Sequence, residues 1–327
     1  MSLLPALAAL AISLALQPVA IAVLRRHSVL DIPNQRSSHS APTPRGGGVV
    51  VVLAILSGLL LLPVSPLLVG IGLAVLCAGL LGLAEDIRGV PIALRLVFQA
   101  ICSIPLVIAC ADSSSFNVLL LVTGVVFTVG AINAVNFMDG VNGITGGFAI
   151  AASIALCLVF GYLSEDILIG AALVVAAACA GFLPYNAGSA RIFLGDSGSY
   201  GIGAVLVGLS LSAWTLGATP EAAIAPFVIY IADTLVTMLR RVRSREQIHQ
   251  AHRTHTYQRL TDLDWSHQVV ALYVSALTLA CGVLGWLGMV NGDLRSVSDA
   301  AILTLCGLYL LTPLLVQRVS QGRRILE

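Results

Sequence analysis

The side chains best suited to polar chemistry collect in five short stretches, 31–48, 82–88, 133–143, 191–199 and 240–259, each set between long apolar runs. In the second, Glu85 and Asp86 are adjacent acids at the end of an apolar run. Two such carboxylates repel each other unless they share a cation, which Arg88 and Arg95 or a divalent metal could supply. The third holds Asn133, Asn136, Asp139 and Asn142 with Gly140 and Gly143. Amide and carboxylate oxygens beside a flexible backbone suit Mg²⁺ and a pyrophosphate. A helix C-cap would account for Gly140 or Gly143 but not for the whole set. The fourth runs from Arg191 through Gly195, Asp196, Ser197, Gly198 and Ser199 into an apolar run. Asp196 or Ser197 could cap that helix, and the same turn could hold phosphate oxygens or their metal.

The first stretch carries Arg36, His39 and Arg45 among prolines and the run 46–48 of three glycines. Its backbone could bring N–H groups close to a ligand while the basic side chains contact phosphate; otherwise it is a polar connector. In the last stretch His249, His252 and His255 would share one face of a helix. Zinc binding, attraction to anionic lipid and recognition of a diphosphate all remain open there. Asp233 stands apart inside an apolar run, where an ionisable group is a functional candidate.

Positioning these stretches is a task for membrane helices. With 58% hydrophobic and 10% charged residues, the chain has too little polar surface to coat a soluble globule. About eleven runs are near the length needed to cross the hydrocarbon: 3–24, 46–63, 66–84, 91–110, 117–135, 144–163, 167–187, 200–217, 221–239, 268–290 and 299–317. The expected fold is an all-α polytopic membrane protein, read as one domain over 1–327. The chain has no lysine, and an outside N-terminus puts every arginine but Arg295 on the cytoplasmic side, which gives N-out, C-in by the positive-inside rule. All five polar stretches then open to one face. The seven cysteines lie in apolar runs and read as small buried hydrophobes. The net charge of +1 gives no sign of a nucleic-acid partner.

Together the loops resemble the polyprenyl-phosphate N-acetylhexosamine-1-phosphate transferases, bacterial glycosyltransferase family 4. The motifs at 136–140 and 193–199 carry most of the resemblance, and the tail at 251–260 is similar to the O-antigen-initiating branch. Where the family usually has Asp-Asp, this chain has Glu85-Asp86. The resemblance implies transfer of a sugar 1-phosphate from a UDP-N-acetyl sugar to undecaprenyl phosphate with release of UMP, at the cytoplasmic face of a bacterial inner membrane. It implies Asn136 and Asp196 as ligands of Mg²⁺, or of Mn²⁺ in its place. It further implies Asp86 as the candidate base with Asp139 beside it and Glu85 in the same motif. Arg45, Asn142, His252, Arg253 and His255 fall on the substrates, and a homodimer is an analogy to the family. A secondary transporter coupled through Asp233 is the rival expectation.

Overall fold

A computed structural model describes residues 2–33, 41–111, 117–244 and 254–326. The described chain is almost wholly helical. Helix α1 (Leu4–Arg26) leads to a two-residue antiparallel pair, β1 (Leu30–Asp31) with β2 (Thr43–Pro44), in which Leu30 faces Pro44 and Asp31 faces Thr43. Then follow α2 (Gly48–Leu60), α3 (Pro66–Arg88), α4 (Ile92–Cys110), α5 (Val118–Met138), α6 (Ile144–Leu163), α7 (Asp166–Asn186) and α8 (Gly195–Thr215). The remainder is α9 (Pro220–Ile224), a 3₁₀ turn at Ala225–Phe227, α10 (Val228–Arg243), α11 (Thr256–Thr261), α12 (His267–Val290), a 3₁₀ turn at Gly292–Leu294 and α13 (Arg295–Leu326).

Local sequence sets many of the helix starts. Ser65 Oγ accepts the Leu68 N–H at the start of α3, Asn117 Oδ1 accepts that of Leu120 at α5, and Ser266 Oγ that of Val269 at α12. Pro66 and Pro220 sit in first turns, where a missing N–H costs nothing.

Among the described residues, nine spans are long and apolar enough to cross a membrane, so this is an all-α polytopic membrane protein. The expected runs all appear as helices, with three differences. The run at 46–63 yields only the 13 residues of α2, about 20 Å of helix against the roughly 30 Å of hydrocarbon. The run at 221–239 is broken at Ala225–Phe227, where Pro226 withholds a backbone N–H. The run at 200–217 begins five residues early, at Gly195, and α8 is not one of the nine apolar spans.

Helix α8 touches α2, α3, α4, α5, α6 and α7, and nearly all its residues from Gly195 to Ala213 are buried. Small residues permit this enclosure: a Cβ on Gly201 would lie 2.5 Å from Val52, and one on Gly208 2.9 Å from Ile71. By contrast α1, α4 and α13 turn most of their apolar side chains outward, as helices facing lipid do. Alternation of helix ends brings the residues after α1, α3, α5, α7 and α10 to one end of the bundle, and the polar stretches lie there.

Candidate active site

The geometry begins with α8, which has no cap of its own: its N-cap position is Leu194, and Asp196 lies in the first turn. The expectation that Asp196 or Ser197 caps the helix is therefore corrected. Asp86, at the end of α3, does so from a distance. Its Oδ1 accepts the backbone N–H of Asp196 and its Oδ2 that of Ser197, both at 3.0 Å. Close approach of the two helices makes this reachable, since a Cβ on Gly82 would fall 2.2 Å from the Asp196 carbonyl oxygen. Gly195, at φ +74°, turns the chain into the helix.

Arg45 joins the two acids. Its Nε is 2.9 Å from Asp86 Oδ1 and its Nη2 is 2.9 Å from Asp196 Oδ1. Burial works against its charge, but Asp196, Asp86 and Asp31 more than offset that and hold the guanidinium above its ordinary range. The backbone around Arg45 is laced to the fourth stretch: Phe193 N–H donates to the Pro44 carbonyl at 2.8 Å, and the N–H groups of Gly46 and Gly47 return to the Phe193 carbonyl. Gly48 N–H goes to Leu194. The glycine N–H groups expected to approach a ligand are thus engaged within the protein, and Gly48 serves packing, its Cβ position being 2.2 Å from Gly198 Cα.

From the end of α5, Asn136 Nδ2 donates to Asp196 Oδ1 at 2.9 Å and to Ser199 Oγ at 3.0 Å. This leaves Asn136 Oδ1 and Asp196 Oδ2 outside the hydrogen bonds described. Two hard oxygens on neighbouring side chains, one of them anionic, fit a magnesium ion. Among the described residues no cluster of three or more His, Cys, Asp or Glu could hold a metal. Mg²⁺ usually takes one or two carboxylates and fills its shell with water and substrate phosphate.

Asp139 follows in the same loop, and its Oδ1 accepts the Thr145 hydroxyl at 2.6 Å. Burial pushes its carboxyl up to about 8, the Thr145 bond opposing that and the nearby Asp196 adding to it. Asn142 Nδ2 donates to the Gly188 carbonyl at 2.7 Å, and Asn186 bridges the same loops by accepting Gly143 N–H and donating to the Ile192 carbonyl. Glu85 turns away from this cluster. Its Oε1 pairs with Arg95 Nη1 at 2.9 Å and its Oε2 accepts the Val90 N–H, while Arg95 also reaches Tyr200.

His255 lies against the third stretch. Its ring is stacked with Phe137, centroids 6.3 Å apart, and Tyr257 OH donates to the Phe137 carbonyl at 3.0 Å. His255 occupies the N-cap of α11 in extended conformation, so no continuous helix carries the histidines of the tail through it. His252 and Arg253 lie outside the described residues, as do His249, Arg36 and His39. Sequence reasoning missed Asn186, Thr145 and Tyr309. Tyr309 alone left a signal, an aromatic hydroxyl inside an apolar run, where such a group needs a buried partner.

Residues 68–213 match the family model described as glycosyl transferase family 4. The chain is similar to a phospho-N-acetylmuramoyl-pentapeptide-transferase of Symbiobacterium thermophilum, with 30% identity over 332 residues covering 88% of this chain and 96% of the relative. The chain belongs to glycosyl transferase family 4. The chain is also similar to a decaprenyl-phosphate N-acetylglucosaminephosphotransferase of Mycobacterium leprae, at 30% identity over 74% of this chain and 72% of that one. A probable undecaprenyl-phosphate N-acetylglucosaminyl 1-phosphate transferase of Bacillus subtilis shares 25%, over 80% and 77%. The family 4 match spans α3 to α8 and so takes in Asp86, Asn136, Asp139 and Asp196 but neither Arg45 nor His255.

Proposed function

We propose that this protein is a polyprenyl-phosphate sugar-1-phosphate transferase that moves N-acetylhexosamine 1-phosphate from a UDP-sugar to undecaprenyl phosphate and releases UMP. The observation that carries this reading is the Arg45–Asp86–Asp196–Asn136 cluster, which gathers three charged groups and an amide from four separate parts of the chain at one end of a membrane bundle. Family membership and the relatives' names support it. The sequence of the tail at 251–260 favours the branch that begins O-antigen and related envelope polysaccharides, and the arginine distribution favours a cytoplasm-facing site in a bacterial inner membrane.

Chemistry at this site must bring two anions together. An oxygen of the lipid phosphate attacks the sugar-linked phosphorus, the bond to the bridging oxygen breaks, and UMP departs with the electron pair. Arg45, free on its outer side, offsets charge on one phosphate. Mg²⁺ bound by Asp196 and Asn136 would supply the remaining neutralisation that phosphoryl transfer requires. Asp86, with both oxygens engaged, holds Asp196 and Arg45 in place. Asp139, pushed up to about 8 by burial, already holds a proton at neutral pH and so does not take one from the lipid phosphate, whose second pKa is about 6. Little such help is needed at neutral pH, which favours direct displacement. Asn142, His255, His252 and Arg253 belong to the UDP-sugar side.

The test uses membranes containing the protein, undecaprenyl phosphate, Mg²⁺ and a panel of labelled UDP-N-acetyl sugars, with label scored in organic solvent beside UMP release. Label from one donor, abolished by Asp196→Asn, supports the proposal and identifies the sugar. No label from any donor with folded protein overturns it.

A further inference from the structure

A small cavity lies between α3, α4, α5 and α8, with about 10 Å³ of room for the centre of a water molecule; Gln99, Ser103 and Thr128 are among its lining residues. Gln99 and Ser103 stand one turn apart on the buried face of α4. The Gln99 amide is oriented by its neighbour on α5. Asn133 Nδ2 donates to the Val129 carbonyl at 2.7 Å and to Gln99 Oε1 at 2.6 Å. Because the Val129 carbonyl takes a donor, Asn133 presents its NH2 there, and Gln99 must answer with its oxygen. That leaves Gln99 Nε2 buried and with no partner in the protein, on a side chain that lines the cavity.

An amide N–H enclosed without a partner is costly, and native interiors rarely leave one. The two hydroxyls of the cavity complement it. Ser103 Oγ directs its proton to the carbonyls of Gln99 and Ala100, and Thr128 Oγ1 directs its own to that of Gly124. Both keep lone pairs. One donor set among two acceptors excludes a cation, which Nε2 would repel, and an anion, which the lone pairs would repel. A water accepts once, donates twice and needs about 10–15 Å³ of such room, so one fits and two do not. Asn133 lies one turn before Asn136, whose Nδ2 reaches Asp196 and Ser199, so Gln99 braces the face of α5 that presents Asn136. We infer that one structural water fills this cavity, accepting from Gln99 Nε2 and donating to Ser103 Oγ and Thr128 Oγ1, and that Gln99 so held is a positioning residue for Asn136. The water site stands on the cavity alone; the positioning role rests on the transferase reading proposed above.

The experiment reads the two parts separately. A density map of the wild-type protein, at a resolution that shows other buried waters, is expected to hold one peak within hydrogen-bond distance of Gln99 Nε2, and a map of Gln99→Met none. An empty cavity in the wild-type map overturns the site. Gln99→Met and Thr128→Val are each expected to raise at least threefold the Mg²⁺ concentration that half-protects the protein against melting and the one that half-saturates label transfer, with the donor KM within twofold. A lower melting temperature with an unchanged Mg²⁺ requirement overturns the positioning role, since joining two helices would then be all that Gln99 does. If Gln99→Met does not elute as a folded species, Thr128→Val, which removes one acceptor and keeps the side-chain shape, is held to the same criteria. A folded wild-type chain that transfers no sugar phosphate overturns the transferase reading and the positioning role with it, while the map still decides the water site.

Discussion

Asp86 Oδ1 accepts the backbone N–H of Asp196 at 3.0 Å, so the last turn of α3 fixes the first turn of α8 and the direction in which the Asp196 side chain leaves it. Two acids 110 residues apart thus divide the labour. One is consumed in holding, and the other keeps an oxygen outward.

Replacing Asp86 by Asn should therefore lower the rate at least a hundredfold at every pH between 6 and 9, because an amide cannot accept both N–H groups and Arg45 as well. Loss of a helix cap costs about 1 kcal/mol, so the variant should also melt earlier. A rate that recovers as pH rises would instead assign Asp86 the role of base.

Asp196→Asn should abolish turnover at ordinary Mg²⁺ with protein abundance unchanged, since Arg45 still pairs with Asp86. Titration of Mg²⁺ measures this directly. Activity retained at the wild-type Mg²⁺ requirement would remove Asp196 from the metal site.

Asp139 predicts a pH dependence of stability in metal-free protein. Its folded pKa, about 8, lies above the value near 3.9 of an unfolded aspartate. Its contribution is therefore fully present below pH 4 and lost as the pH climbs through 8. Melting temperature in detergent with chelator should fall from pH 5 to pH 9, and Asp139→Asn should flatten that slope. Added Mg²⁺ should protect more at pH 8 than at pH 6, as the carboxylate is then free to hold charge. An identical slope in the variant would rule out Asp139 as its source.

Gly140 faces Tyr257, whose hydroxyl would lie 2.2 Å from an added Cβ. Gly140→Ala must displace Tyr257 and break its bond to the Phe137 carbonyl. Overpacking of this kind typically costs 1–3 kcal/mol. The expected outcome is a lower melting temperature and a raised donor KM, read in the same assay, with Gly130→Ala, where nothing lies within 4 Å, as the control.

Much of this site was legible beforehand because membrane burial makes polar residues conspicuous. Asn136, Asp139, Asp196 and Asp86 stood out against apolar runs, and the structure brings Asp86, Asn136 and Asp196 around Arg45. What the sequence concealed was how each group is engaged. Glu85 looked like half of an acidic pair, but its longer side chain reaches Arg95 and the Val90 N–H. The glycines at 46–48 looked like a ligand cradle, yet their N–H groups close onto Phe193 and Leu194. Asp233 invited a transport role by its depth, and its actual partners, Tyr309 and Thr256, come from segments far along the chain. Spacing reports what lies near in sequence; pairings across separate helices depend on packing.

The enclosure of α8 has a consequence for mapping this protein in cells. A helix that never meets lipid is under little pressure to be greasy, so any survey guided by hydropathy alone is prone to skip it. Omitting that crossing alone inverts every loop that follows. The arginines of 240–243 would then be drawn on the far side of the membrane from Arg45. Reporter fusions placed before Gly195 and after Thr215 would read opposite compartments, restoring the parity on which the assembled site depends.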